Sequence, residues 1–127
     1  MNLVLTDQQV AVGEVVEVKG KIPADAKKFA ISLGSDISNI ALEVAFYWND
    51  PKVGTMVLFT STVDPVGTRI PNPLAQTSDV MISIILKDKK SFTVSFLDKV
   101  IPIINNQNMV IQYINVMGDF ALKSLKV

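Results

Sequence analysis

The sequence predicts an all-β domain built as a sandwich or jelly roll of antiparallel strands. Apolar residues recur at every second position, the apolar set is rich in valine, isoleucine and phenylalanine, and turn residues return about every ten residues. No stretch combines helical spacing with a capping residue before it. Because the chain has 127 residues and no cysteine, we expect one domain over residues 1–127 that folds without disulfides.

The alternating segments place the strands in chain order, starting with a short edge strand. The expected strands are 3–5, 15–22, 29–33, 40–48, 55–63, 80–87, 91–96, 99–103, 109–116 and 120–127. The turn residues between them are Pro23 with Asp25, Gly34 with Asp36, Asn49-Asp50-Pro51, Asp64-Pro65 with Gly67, Pro71-Asn72-Pro73, the lysine-rich segment 87–90, the Asn105-Asn106-Gln107-Asn108 run and Gly118-Asp119. Segment 64–79 interrupts the pattern with prolines, so we expect the longest functional loop there.

The composition argues against several functions. The chain has no histidine, which removes the commonest general base, the commonest metal ligand and every Ser-His catalytic pair. No glycine-rich loop leads from a strand into a helix, as nucleotide sites of the familiar kinds require. We therefore expect no enzymatic activity, no cofactor and no metal. Twelve basic and twelve acidic residues without a basic stripe also make nucleic acid an unexpected partner.

The N-terminus and the hydropathy bear on location and assembly. Residues 1–10 contain no basic leader, apolar core or cleavage site, and no segment has the length of a membrane-spanning helix. We expect a cytoplasmic protein without membrane insertion. Hydrophobic residues make up 49% of the chain, and the mean hydropathy is +0.36. These values favour a homodimer or another apolar contact, although a sheet buried on both faces would also raise them.

Segment 41–48 reads A-L-E-V-A-F-Y-W, and its alternation divides the strand into two faces. The core face receives Leu42, Val44, Phe46 and Trp48, and the opposite face receives Ala41, Glu43, Ala45 and Tyr47. A ligand would bind on this second face. The same reasoning assigns Thr55, Val57, Phe59 and Ser61 of the next strand to it. Tyr47 and Phe59 would then line one groove, with Glu43 and Arg69 near its rim.

Five segments resemble the galectin domain in order and spacing, and together they cover nearly the whole chain. They are V-E-V-K-G at 16–20, F-A-I-S-L-G at 29–34, N-I-A-L at 39–42, I-N-V-M-G-D-F at 114–120 and the closing strand 122–127. The resemblance implies a galectin-like, concanavalin A-like jelly roll of two antiparallel sheets, with a glycan bound on the concave sheet. Galectins leave the cell without a signal peptide, so the resemblance leaves an extracellular location open as an alternative to the cytoplasmic one.

The sugar-binding pattern of the family is replaced in this chain. Galectins carry H-x-N-x-R on one strand, and alignment through Leu42 places these three residues on Glu43, Ala45 and Tyr47. A second alignment, with one inserted residue, slides W-N-D-P-K at 48–52 onto the F-N-P-R segment of the family. This second alignment lengthens the preceding strand and reverses its faces.

The next two strands of the family pattern are replaced as well. The family's asparagine on the following strand falls on Phe59, and its W-G-x-E-x-R segment falls on residues 66–71. Only Gly67 matches, while Val66, Arg69 and Pro71 replace the tryptophan, the acid and the second arginine. Because the charged and amide donors and the aromatic platform are gone, the resemblance implies that β-galactosides are not bound in the usual way.

Two interpretations of this groove remain open. The candidate carbohydrate-binding residues are Glu43, Ala45, Tyr47, Phe59, Val66, Arg69 and Pro71, with Trp48, which we favour as a core residue, and Asn49 as a backup. In the first interpretation, the chain is a galectin-like, lectin-type protein with altered or weakened specificity, and its partner is a glycan or glycoprotein. In the second, Tyr47 packs on Phe59, Glu43 pairs with Arg69, and the chain is a non-lectin module for protein interaction or structure.

Overall fold

The structure, a computed structural model, describes residues 1–104 and 109–127 and consists there of strands and connecting loops. The strands are β1 (Asn2–Leu5), β2 (Val15–Lys21), β3 (Lys28–Asp36), β4 (Asn39–Tyr47), β5 (Met56–Thr60), β6 (Thr68–Pro71), β7 (Asp79–Asp88), β8 (Ser91–Phe96), β9 (Lys99–Ile104), β10 (Tyr113–Gly118) and β11 (Ala121–Lys126). Within these described ranges, no helix is long and apolar enough to cross a membrane.

The strands form two antiparallel sheets. One sheet has six strands in the order β1-β10-β3-β4-β5-β6, and the other has five in the order β11-β2-β7-β8-β9. Each strand turns alternate apolar side chains toward the space between the sheets, and the burial pattern of β8, in which every second residue is buried, shows this directly. The prediction of an all-β sandwich of two antiparallel sheets is therefore confirmed.

A cluster of aromatic rings joins the two sheets. The ring of Phe29 on β3 stacks on that of Phe46 on β4, with centroids 4.7 Å apart, and on that of Phe120, at 4.4 Å. Phe46 in turn meets Phe96 of the five-stranded sheet edge-on at 5.2 Å. Aromatic pairs of this kind contribute about 0.5–1.5 kcal/mol each beyond their burial. The cluster thus fixes the six-stranded sheet, including β4, against its partner sheet.

Three sequence predictions differ from the structure or lie beyond it. Segment 64–79 is not one long loop, because it contains β6, whose Pro71 is tolerated at the sheet edge where no ladder hydrogen bond is lost. Residues 109–112 precede β10 rather than belonging to it, with Ile111 in an isolated bridge to Val10. The predicted turn at 105–108 lies outside the described residues.

Candidate functional site

The outer face of the six-stranded sheet is built from three rows of side chains. Directly opposite residues of an antiparallel pair project to the same face. The pairing therefore gives a first row of Ser32, Glu43 and Thr60, a second of Ala30, Ala45, Leu58 and Arg69, and a third of Lys28 and Tyr47 continued by Met56 and Pro71. We call the part formed by Glu43, Ala45, Tyr47, Met56, Leu58, Thr60, Arg69 and Pro71 the outer β4–β6 face.

Five of the predicted site residues meet on this face. Glu43 and Tyr47 are half-buried on β4, whereas Arg69 and Pro71 are exposed on β6. Ala45 lies between them and is only 3% exposed. The face therefore places charged and aromatic side chains around a small apolar patch, and the buried part of this patch is not accessible to a ligand.

The prediction that Phe59 lines the groove is wrong. Phe59 is 2% exposed, lies opposite Val44 and faces the core, so that it cannot pack on Tyr47. The outward residues of β5 are Met56, Leu58 and Thr60, one position away from the predicted set. A shift of one residue moves every side chain of a strand to the other face. Because β5 is apolar on both faces, alternation alone could not select the correct one.

Glu43 and Arg69 do not form the ion pair considered from the sequence. Arg69 lies opposite Leu58, one row from Glu43 and two strands away from it. In residues 1–104 and 109–127, ion pairs join Lys19 with Glu17 and Lys123 with Asp79 instead. The guanidinium of Arg69 thus has no carboxylate within 4.0 Å in the described part of the chain.

Lys28 is a residue of this surface that sequence reasoning missed. It lies on β3 directly opposite Tyr47, and its ammonium is 5.0 Å from the centroid of the Tyr47 ring. This distance is within the range of a cation–π contact, which holds the charge over the aromatic ring. The backbone N–H of Lys28 also donates to the Asp119 carboxylate at 3.3 Å. Only the β3–β4 register reveals this neighbour, since the two residues are far apart in the sequence.

Val66 lies in the loop before β6 rather than on a strand. It is 79% exposed, and the loop around it is held by local hydrogen bonds. The N–H of Gly67 donates to the Asp64 carboxylate at 2.9 Å, and the N–H of Asp64 donates to the Ser61 hydroxyl at 3.0 Å. These bonds present Val66 to solvent at the border of the outer β4–β6 face.

The backup residues Trp48 and Asn49 lie at one end of the sandwich. Trp48 is 5% exposed, and its indole N–H donates to the Leu74 carbonyl at 2.8 Å, so the expectation of a core tryptophan is confirmed. This placement agrees with the first alignment and not with the second, which reverses the faces of β4. Trp48 and Asn49 line a cleft of about 350 Å³ together with Lys27 and Gln76, but the buried indole leaves no ring face for a sugar.

Asp50 also lines that cleft, and its carboxylate is held by hydrogen bonds within its own loop. Its carboxylate accepts hydrogen bonds from the N–H of Lys52 at 2.8 Å and of Val53 at 2.9 Å. These two bonds, followed by the charges of Lys52 and Lys28, hold the pKa of Asp50 below its ordinary value. Among the described residues, no group of three or more acidic side chains is placed to hold a metal ion.

Comparison with known proteins defines the family. No protein-family model matches the chain. The 16 kDa beta-galactoside-binding lectin of Gallus gallus is 49% identical over 41 residues, and the Galectin-1 of Rhinella arenarum is 44% identical over 41 residues. These matches span 31% of the length of either relative and 32% of this chain. The structure of CG-16, a homodimeric agglutinin from chicken liver, is 31% identical over 99% of this chain and 98% of its own, with a TM-score of 0.89.

The strand order, the two antiparallel sheets and this near-complete superposition define a β-sandwich of the same class as the chicken agglutinin. The chain belongs to the galectin family. The resemblance read from the sequence is therefore confirmed over the whole chain.

Proposed function

We propose that the protein binds carbohydrate on the outer β4–β6 face, with a specificity different from that of the usual β-galactoside binders. One observation carries the proposal: Glu43 and Tyr47 of β4 and Arg69 of β6 project from the same face of the sheet, around the small and apolar side chains of Ala45 and Leu58. An aromatic ring beside charged hydrogen-bonding groups suits the apolar face and the hydroxyls of a sugar. The β-galactoside-binding lectin among the relatives supports a carbohydrate as the ligand class.

We expect a specificity different from that for β-galactosides because the face lacks polar groups that the family's galactose site has. Ala45 stands where the resemblance places an amide, and it is both apolar and nearly inaccessible. Arg69 stands where the resemblance places an acid, which reverses the charge next to Leu58. The polar donors around a galactose ring would therefore be missing or of the wrong sign. We expect lactose to bind no more tightly than roughly 1 mM.

Replacing Tyr47 by alanine tests the proposed site. On a glycan array, we expect the Tyr47→Ala variant to lose roughly three- to tenfold in affinity for the best wild-type glycan, because the ring contact is removed. Met81→Ala, at an exposed position on β7 of the other sheet, serves as the control and should bind like the wild type. Absence of signal from every glycan, or equal binding by the wild type and Tyr47→Ala, would contradict the proposal.

A protein-interaction module is the second candidate, and the apolar part of the same surface favours it. Met56 and Leu58 are half-buried on the outer β4–β6 face, and Val66 is exposed beside it. An apolar surface of this kind is common at protein interfaces. If no glycan binds, and immobilised wild type retains a partner that Val66→Asp does not, this second function replaces the first.

We also infer a homodimer, which chicken CG-16 forms. Each sheet has two edge strands, β1 and β6 in one and β11 and β9 in the other. Residues of β6 and β9 line one cleft together, so these two edges lie on the same side of the sandwich. β1 and β11 therefore share one side of the sandwich, where a second copy can extend both sheets. Sedimentation equilibrium should give twice the monomer mass of 13.9 kDa. A monomer at every concentration up to about 100 μM, a range that covers ordinary weak dimers, would count against it.

A further inference from the structure

We propose that the preferred ligand of the outer β4–β6 face is an anionic glycan, one that carries a sulfate or carboxylate group, held by Arg69 and Lys28. This inference rests on the proposed carbohydrate-binding function and adds the chemical class of the ligand. It is carried by the positions of two cations on the same surface, on either side of Ala45 and Leu58.

Arg69 provides the first anion-binding group. It is exposed on the edge strand β6, and in the described residues it has no carboxylate within 4.0 Å. Its register opposite Leu58 points the side chain to the outer surface. A guanidinium has five N–H donors in a planar fork that matches two oxygens of a sulfate or carboxylate. A ligand can therefore engage Arg69 without breaking an existing ion pair.

Lys28 provides the second group on the other side of the face. Its ammonium lies 5.0 Å from the centroid of the Tyr47 ring, so it is held over β4 instead of extending away from the sheet. Asp50 is near enough for the charge of Lys28 to lower the pKa of its carboxyl, yet no ion pair joins them within 4.0 Å in the described ranges. The ammonium keeps donors that are available to a ligand.

The spacing of the two cations suits a ligand of two or three sugar rings. β3 and β6 are separated by β4 and β5, and neighbouring strands lie roughly 4.8 Å apart, so the two backbones are about 14 Å from each other. The Lys28 side chain extends over β4 and shortens this gap on its side. A charged group on one ring can then reach Arg69 or Lys28 while another ring lies against Tyr47.

Glu43 sets the orientation of such a ligand. It lies in the row of Ser32 and Thr60, whereas Arg69 and Lys28 lie in the two other rows. A carboxylate repels an anion near it, so the charged group of the ligand should be placed away from Glu43. The chain as a whole has zero formal charge, so a preference for anions must come from this local arrangement.

A glycan array printed with matched neutral, sulfated and sialylated forms of the same oligosaccharides tests the inference on the intact chain. We expect the wild type to bind an anionic form roughly tenfold more tightly than its neutral partner at low salt, and this ratio should fall as ionic strength rises. Arg69→Gln and Lys28→Gln should each weaken binding of the anionic form more than binding of the neutral form, and so reduce the ratio, because a charged group loses more than a hydroxyl when a cation is removed. Lys87→Gln, at an exposed position of β7, removes the same charge from the other sheet and should change nothing.

The outcomes separate this inference from the proposed function. Equal binding of neutral and anionic forms, with sensitivity to Tyr47→Ala, overturns the anionic preference and leaves the carbohydrate site in place. If Lys87→Gln lowers binding of the anionic form as much as Arg69→Gln does, the preference comes from the total charge of the protein. This result also overturns the anionic preference of the outer β4–β6 face and leaves the carbohydrate site in place. Absence of binding to every printed glycan overturns both.

Discussion

Replacing Phe29 by alanine is expected to lower the free energy of unfolding by about 3–5 kcal/mol. Phe29 is fully buried, and its ring stacks on those of Phe46, Trp48 and Phe120, with centroid distances of 4.7, 6.0 and 4.4 Å. The substitution removes the apolar surface of the ring and leaves a cavity that backbone ladders on both sides prevent from closing. Chemical denaturation monitored by tryptophan fluorescence measures the loss, since Trp48 itself is buried.

Ile37→Ala is the matched control for this prediction. Ile37 is 77% exposed in the turn between β3 and β4, so that truncating it removes few contacts and should change stability by less than about 0.5 kcal/mol. If Phe29→Ala lowered the free energy of unfolding as little as Ile37→Ala does, the aromatic cluster would not hold the sheets together. A loss of several kcal/mol for Ile37→Ala would mean that this turn is buried in an assembly.

Replacing Gly67 by alanine is expected to cost more than about 2 kcal/mol of stability and to abolish ligand binding. Gly67 has a φ of +61°, and a Cβ at this position would overlap the carbonyl oxygen of Phe59. The loop must shift to relieve the overlap, and β6 shifts with it, which displaces Arg69. Thermal unfolding and the glycan array together measure both consequences.

Gly54→Ala separates the backbone conformation from the steric overlap. Gly54 has a φ of +82°, yet nothing lies within 4 Å of a Cβ built on it. The Gly54→Ala variant should therefore lose only about 1–2 kcal/mol of stability, which is the cost of an alanine in the left-handed conformation. If Gly67→Ala were no more destabilising than Gly54→Ala and bound glycan normally, the close packing of the 61–67 loop on β5 would be refuted.

The sequence was sufficient to predict the fold and the faces of β4. In segment 41–48 large apolar residues alternate with small or polar ones, so the buried set is the one that contains Phe46 and Trp48. β5 gives no such contrast, because valine and phenylalanine on one face alternate with methionine and leucine on the other. Its register is decided by the packing of Val57 and Phe59 against the core, which a single strand cannot reveal.

Two other parts of the site depend on contacts between strands. β6 is an edge strand with one paired neighbour, and Gly67 just before it and Pro71 at its end are residues that usually mark turns. Its existence follows from pairing with β5, not from its own pattern. Lys28 reaches Tyr47 only across the β3–β4 ladder, so no local motif indicates that it belongs to the candidate site.

Amide chemical shifts recorded during a ligand titration show whether the outer β4–β6 face is the ligand-binding surface. Isotope-labelled protein would be titrated with the oligosaccharide that gives the strongest array signal. We expect the largest shift changes at Ala45, Tyr47, Leu58 and Arg69. Changes confined to β7, β8 and β9 of the other sheet, or no change with any oligosaccharide, would contradict this expectation.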